Sequence, residues 1–182
     1  AYDDATAVAR VRSAGAIPLG VTNTSELCLW MESNNYVYGR TNNPYDPRRT
    51  VGGRSGGEGA IVGAGASPFG IGSDIGGSIR IPASTCGLVG YKPPYGRNPE
   101  EAVFNLDFYC HTGPLARSVK DAIRLQNVMC GPSSRDIATL RPKLTLPYDY
   151  EPIKDWKIAY SPNLGCFEVD SEVEKNTVET LE

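Results

Sequence analysis

VGGRSGGEGAIVGAGASPFGIGSDIGGSIRIPASTCGLVGYK, residues 51–92, holds many of the 20 glycines of the 182-residue chain. Clustered glycines mark places where the backbone needs positive φ or where two segments approach closely. The short apolar runs between them fit small, tightly packed elements. The predicted order is a turn at 51–57, a helix at 58–65, a strand at 67–73, a turn at 74–78 and a strand at 86–92.

Outward from this block, helix and strand signals alternate. Ser118 is a predicted N-cap with Asp121 in the first turn, and Ser171 opens a capping box with Glu174. The order predicts an α/β fold with a mixed, mostly parallel sheet flanked by helices. The outer predictions are a helix at 4–13, a strand at 16–22, a loop at 30–50, a surface loop at 93–107, a helix from 118, a strand at 156–161 and a helix from 171.

Composition limits the possible functions. The net charge of −3 gives no basic face of the kind that nucleic-acid binding requires. No apolar run is long enough for a membrane span, and the first residues lack a signal-peptide pattern. Five scattered cysteines favour reduced thiols and a cytoplasmic location. The single histidine, His111, cannot form a two-histidine metal site, and we expect neither metal nor cofactor.

The second glycine turn carries the chemistry. In Asp74-Ile75-Gly76-Gly77-Ser78, successive backbone amides can point into one concavity, because the glycines lack a Cβ that would obstruct it. Such donors stabilise a developing oxyanion, and a serine at the end of the turn can act as the nucleophile. Glycine-serine turns also bind phosphate, but the sequence completes neither of the common phosphate-binding patterns.

The glycine-rich block resembles the amidase signature. The resemblance implies a partial amidase-signature fold in a single domain, 1–182, incomplete at both ends. It also implies a Ser-cisSer-Lys triad in which Ser78 is the nucleophile, and an oxyanion hole made by the amides of Ile75, Gly76, Gly77 and Ser78. Further matching segments are DATAVARVRSAGAIPLGVTNTSE at 4–26, NNPYDP at 42–47, HTGPLARSVKDA at 111–122 and KIAYSPNLG at 157–165.

The proton relay departs from the family pattern. The bridging serine, which the family holds in a cis peptide, is replaced by Arg54, while Ser55 matches the second serine of that turn. A guanidinium has only donors and cannot relay a proton. The lysine base of the family is expected before residue 1. We therefore expect impaired activity, unless Ser55 or His111 has been recruited into the relay.

Several residues favour the branch that resembles fatty-acid amide hydrolases and acetamidases, which implies a carboxylic or fatty-acid amide as substrate. These are Val21, Glu58, Ile75 and Ile81. Residues 27–31 hold large apolar side chains that could line an acyl channel, although core packing is the more common role of such side chains. The channel candidates are Leu27, Leu29, Trp30 and Met31.

Other interpretations remain open at this stage. The chain could be a non-catalytic pseudoenzyme fragment, or a module that binds small anions or a partner. Exposed sheet edges would favour self-association. His111 is expected to be structural more often than catalytic. The residues expected to support the turn are Ser73, Asp74, Arg54 and Arg80, with Glu58 as a hypothetical partner of Arg80.

Overall fold

A computed structural model describes residues 3–101 and 107–181 of the protein. They fall into two units, Ala1–Tyr148 and Asp149–Glu182. The second unit contains helix α5, Ser171–Leu181. The elements of the first unit are α1 Thr6–Ser13, β1 Asn34–Asn35, β2 Gly39–Arg40, α2 Gly56–Gly63, β3 Phe69–Asp74, α3 Arg80–Thr85, β4 Val89–Gly90, β5 His111–Ala116 and α4 Val119–Met129.

The main sheet has three strands in the order β3-β5-β4, and β1 and β2 form a separate small hairpin. Helices and sheet together confirm the α/β class, but the expected mostly parallel sheet is wrong for the described strands. Both β3 and β4 pair antiparallel with β5. The unit β3-α3-β4 does return its second strand in the parallel direction, through helix α3, which was not predicted from the sequence. β5 enters from later in the chain and lies between the two strands, so no parallel pair forms.

Small residues let helix α2 lie close to its neighbours. A Cβ on Gly72 of β3 would lie 2.7 Å from the Ser55 Oγ, and a Cβ on Gly59 would lie 2.8 Å from Cβ of Pro82 in α3. Both distances are shorter than carbon side chains tolerate. The glycine spacing therefore brings the first turn, the strand and helix α3 together, and this contact positions the candidate site.

Helices α1 and α4 form a separate part of the core, in which Val11, Leu125 and Met129 are buried together. The Arg10 guanidinium donates to four successive carbonyl groups at the end of α4, those of Met129, Cys130, Gly131 and Pro132. A cation at this end satisfies carbonyl groups that have no intrahelical partner.

One of the two predicted helix caps is confirmed. Ser118 caps α4 by accepting a hydrogen bond from the Asp121 amide, as predicted. Helix α5 begins at Ser171, but the capping box predicted between Ser171 and Glu174 is wrong, because the Glu174 amide donates to the Asp170 carbonyl. The cap is Asp170, whose carboxylate accepts from the Glu172 amide at 2.8 Å and so satisfies an amide that has no intrahelical partner.

Two predicted strands and one predicted core segment are wrong. Residues 16–22 and 156–161 form no strand, because a strand needs a hydrogen-bonded neighbour and no described segment pairs with either. The side chains of 27–31 that were expected in the core are exposed. Among the described residues, no helix combines the length and apolarity that crossing a membrane would require.

Candidate active site

The two glycine turns lie against each other. Gly53 has a φ of +68°, and a Cβ there would lie 3.1 Å from the Ser78 Cα. The Ser55 amide donates to the Ser78 carbonyl at 3.3 Å. Because glycine tolerates positive φ and adds no side chain, the first turn can pack directly on the backbone that presents Ser78.

Asp74 organises the second turn from inside. Its side chain has no exposed surface. It accepts hydrogen bonds from the amides of Gly77 at 2.7 Å and Ile79 at 3.1 Å. It also accepts two from the Arg80 guanidinium, at 3.0 Å and 2.9 Å. Burial alone would raise the pKa of the Asp74 carboxyl, but the bonds from Arg80 and the amides outweigh it and hold the pKa well below its usual range.

Arg80 therefore pairs with Asp74, and the hypothetical Arg80–Glu58 pair is wrong. The Glu58 carboxylate instead accepts from the Thr22 hydroxyl at 2.9 Å. Burial raises the pKa of Glu58, and the bond from Thr22 opposes that shift only in part. Arg80 reaches Asp74 because the turn folds back on itself, which places the start of α3 beside the end of β3.

The amides expected to form the oxyanion hole are not equivalent. The Gly77 N–H is engaged by Asp74, so in this conformation it is not available to a substrate oxygen. No hydrogen bond within the described part of the chain engages the amides of Ile75, Gly76 or Ser78. Three of the four expected donors thus have no hydrogen-bond partner among the described residues.

The Ser78 hydroxyl lies beside Arg54. Both residues are buried, with 6% of each surface exposed. The Arg54 Nε donates to the Ser78 Oγ at 3.2 Å, and its Nη1 donates to the Cys28 carbonyl at 3.3 Å. The only cis peptide bond in the described residues is Arg141–Pro142, so the cis bond expected at Gly53–Arg54 is wrong. The side chain in the expected bridging position thus donates to the Ser78 hydroxyl and cannot accept its proton.

Ser55 serves the backbone of β3. Its hydroxyl donates to the Ser73 carbonyl at 3.2 Å and accepts from the Ser73 amide at 3.0 Å. No hydrogen bond joins this hydroxyl to that of Ser78 in the described residues. The expectation that Ser55 acts in the relay is therefore not met in this conformation, and Ser73 supports the site through its backbone.

His111 lies next to the turn. It pairs with Asp74 across the β3–β5 ladder and is 8% exposed. Neither ring nitrogen makes a hydrogen bond of ordinary geometry within the described residues. Burial and the nearby Lys92 lower the pKa of His111, and the adjacent Tyr109 backbone opposes only part of that shift. The lowered pKa favours the neutral imidazole at neutral pH, but no hydrogen bond joins the ring to Ser78 in the described residues.

Lys92 is the residue that sequence reasoning missed. Its Nζ donates to the Ile75 carbonyl at 2.8 Å and lies 3.3 Å from the Asp74 carboxylate. The sequence signal was limited to a lysine at the end of the strand predicted at 86–92, of which only Val89–Gly90 form β4. The described residues contain no group of three or more His, Cys, Asp or Glu side chains suited to a metal ion.

Comparisons with known proteins place this geometry in context. Fatty-acid amide hydrolase 2-A of Danio rerio is 52% identical over 141 residues, which cover 74% of this chain and 26% of that protein. Acylamidase of Rhodococcus erythropolis is 38% identical over 176 residues, covering 95% of this chain and 37% of that protein. A solved structure of 6-aminohexanoate cyclic dimer hydrolase complexed with substrate has a TM-score of 0.79 at 35% identity, covering 98% of this chain and 39% of that one.

The chain thus spans between about a quarter and two fifths of the length of these relatives. The sequence model of the family described as Amidase matches it from residue 1 to residue 182. Since the match extends over the whole sequence given, the chain belongs to the Amidase family, the amidase-signature enzymes.

Proposed function

We propose that this chain carries the nucleophile of an amide hydrolase, with Ser78 attacking the carbonyl carbon of a carboxylic or fatty-acid amide. The observation that carries the proposal is a buried serine at the end of a turn where three backbone amides have no hydrogen-bond partner within residues 3–101 and 107–181. As the Oγ bonds to the carbonyl carbon, its oxygen gains negative charge that these amides can stabilise. Loss of the amine leaves an acyl-enzyme at Ser78, which water then hydrolyses.

Proton transfer is the weak step of the proposed reaction. Ser78 must lose its hydroxyl proton during attack, and the leaving amine must gain one. The Arg54 guanidinium can stabilise an alkoxide but cannot take the proton. No lysine among the described residues hydrogen-bonds to the Ser78 Oγ. We therefore expect the chain as given to acylate slowly.

The proposed substrate is a small-molecule amide, and the proposed location is the cytoplasm. The names of the relatives, fatty-acid amide hydrolase and acylamidase, support an amide with an acyl chain. All five cysteines are free thiols, which is common in reducing compartments. We also propose that the chain can self-associate through open sheet edges.

A fluorophosphonate probe tests the nucleophile directly. We expect slow labelling of one serine and its loss in Ser78→Ala. Ser84, an exposed serine in α3, supplies the matched control, and Ser84→Ala should label at the wild-type rate. Labelling that persists in Ser78→Ala would reject Ser78 as the nucleophile. Labelling of the unaltered chain as fast as that of an intact serine hydrolase would reject the impaired relay.

A second function is favoured by the position of Arg54. A guanidinium that donates to the Ser78 hydroxyl, together with the three amides of the same turn that have no partner among the described residues, forms a set of donors suited to an anion, as expected of a non-catalytic binding module. A simple carboxylate or inorganic phosphate should then raise the melting temperature of the chain by mass action, and Arg54→Met should abolish the increase. An unchanged melting temperature across both ligands would reject this function.

A further inference from the structure

Lys92 follows strand β4 and reaches across to the turn that precedes Ser78. Its side chain is 17% exposed, so most of it is packed against protein. The 2.8 Å hydrogen bond to the Ile75 carbonyl is shorter than the 3.3 Å approach to the Asp74 carboxylate. The carbonyl is therefore the closer partner of the ammonium group, and Asp74 the second.

A peptide unit is rigid and planar, and in the trans form its C=O and the following N–H point in opposite directions. The Ile75 carbonyl and the Gly76 amide belong to one such unit. When Lys92 holds the carbonyl on its own side of the turn, the Gly76 N–H is directed to the other side. Gly76 has no side chain to resist rotation of this unit, and a Cβ there would meet no atom within 4 Å, so its direction needs an external restraint.

The need to balance the charge of Asp74 does not by itself explain the position of the Lys92 side chain. Arg80 already pairs with that carboxylate through two nitrogens, at 2.9 Å and 3.0 Å. Arg80 and Lys92 thus share Asp74, but only Lys92 bonds to the Ile75 carbonyl. Substituting each cation in turn therefore distinguishes an effect on the charge balance of Asp74 from an effect on the direction of the Ile75–Gly76 peptide.

We propose that Lys92 is a positioning residue that fixes the Ile75–Gly76 peptide, and so directs the Gly76 amide at the oxygen of a substrate bound to Ser78. The catalytic part of this inference rests on the proposed amide hydrolysis. The conformational part, that Lys92 sets the direction of the amide, does not.

The size of the effect follows from the oxyanion hole. Loss of one donor costs about 100- to 1,000-fold in kcat where this has been measured. A peptide that loses its restraint still samples the productive direction for part of the time. We therefore expect the maximal rate of fluorophosphonate acylation to fall by about 10- to 100-fold in Lys92→Met, with little change in the half-saturating probe concentration.

The experiment compares Lys92→Met, Lys92→Arg and Arg80→Met in the full chain, each at a temperature where its melting curve shows it folded. The first readout is the ¹H–¹⁵N chemical shift of the Gly76 amide, which needs no activity. We expect a larger shift change in Lys92→Met than in Arg80→Met, and a return toward the wild-type position in Lys92→Arg, whose guanidinium can still donate to the carbonyl. A Gly76 shift that changes no more in Lys92→Met than in Arg80→Met would overturn the proposal.

The second readout is the maximal labelling rate. A fall in Lys92→Met that Lys92→Arg reverses, and that exceeds the fall in Arg80→Met, supports the catalytic part. An unchanged rate in Lys92→Met would overturn it. If the unaltered chain does not react with the probe, the proposed hydrolysis fails, and the Gly76 shift still decides the conformational role of Lys92.

Discussion

Removal of the Asp74 carboxylate should destabilise the first unit strongly. Asp74→Ala leaves the amides of Gly77 and Ile79 inside the protein without their acceptor. A buried donor left unsatisfied costs about 1–3 kcal/mol, so two cost about 2–6 kcal/mol. Arg80, which keeps its charge, is 55% exposed, so water can solvate its guanidinium once the carboxylate is gone and the lost ion pair adds little. We therefore expect the free energy of unfolding to fall by about 2–6 kcal/mol.

Urea unfolding followed by far-ultraviolet circular dichroism measures this change. Asp3→Ala, at an exposed carboxylate, is the control and should stay within about 0.5 kcal/mol of the unaltered chain. Asp74→Asn should lose less than Asp74→Ala, because one side-chain oxygen can still accept from the turn. A loss below about 1 kcal/mol in Asp74→Ala, the ordinary value for a single hydrogen bond, would refute the organising role of Asp74.

Asp74 also makes the free energy of unfolding depend on pH. Because the pKa of Asp74 is depressed in the folded state, its charge stabilises the fold above the unfolded-state pKa of about 3.9. This stabilisation is lost as the pH falls from there through the folded-state pKa. The difference in stability between the unaltered chain and Asp74→Asn should therefore be constant from about pH 5 to 7 and shrink below about pH 4. A difference that grows on acidification would contradict the depressed pKa.

Three further substitutions test other parts of the structure. Arg54→Met removes the charged donor that can stabilise a Ser78 alkoxide, a bond worth about 1.5–3 kcal/mol, and should slow fluorophosphonate labelling about 10- to 100-fold; an unchanged rate would contradict this. Gly57→Ala places a Cβ 2.5 Å from a backbone oxygen and should lower stability in urea by about 1–3 kcal/mol, while Gly20→Ala, in open space, should not. Ser118→Ala should cost about 1 kcal/mol in the same assay, and no loss would contradict the cap.

Features set by a few neighbouring residues were predictable from the sequence. The cap at Ser118 and the turn containing Gly53 depend on side chains or φ values within one turn of chain. The strands predicted at 16–22 and 156–161 did not form, because a strand also depends on a distant partner that no local pattern encodes. The antiparallel pairing could not be predicted for the same reason, because β3 and β4 both pair with β5, which follows the β3-α3-β4 unit in the chain.

The candidate site likewise has one part that the sequence predicts and another that it does not. Ser78 and Asp74 could be placed from the spacing of one short turn. The contacts of Lys92 and Arg54 could not, because they join residues 17 and 24 positions apart and depend on where a long side chain points. Sequence reasoning could say that arginine is unable to relay a proton. It could not say that the guanidinium would donate to the Ser78 hydroxyl.

Oxyanion stabilisation and activation of a nucleophile are separable. Arg54, Arg80 and Lys92 all contact the segment from Asp74 to Ser78, whereas no group of the described residues that could accept a proton is bonded to the Ser78 hydroxyl. In serine hydrolases that have lost a member of the triad, the oxyanion hole and substrate binding still give about 10³–10⁴-fold catalysis over water. If the Ser78 turn works as proposed, a residual rate of about this size is what the chain can supply without a base. A much higher rate would require an acceptor that reaches Ser78 in place of Arg54, and His111, neutral and next to Asp74, would then be the first residue to substitute.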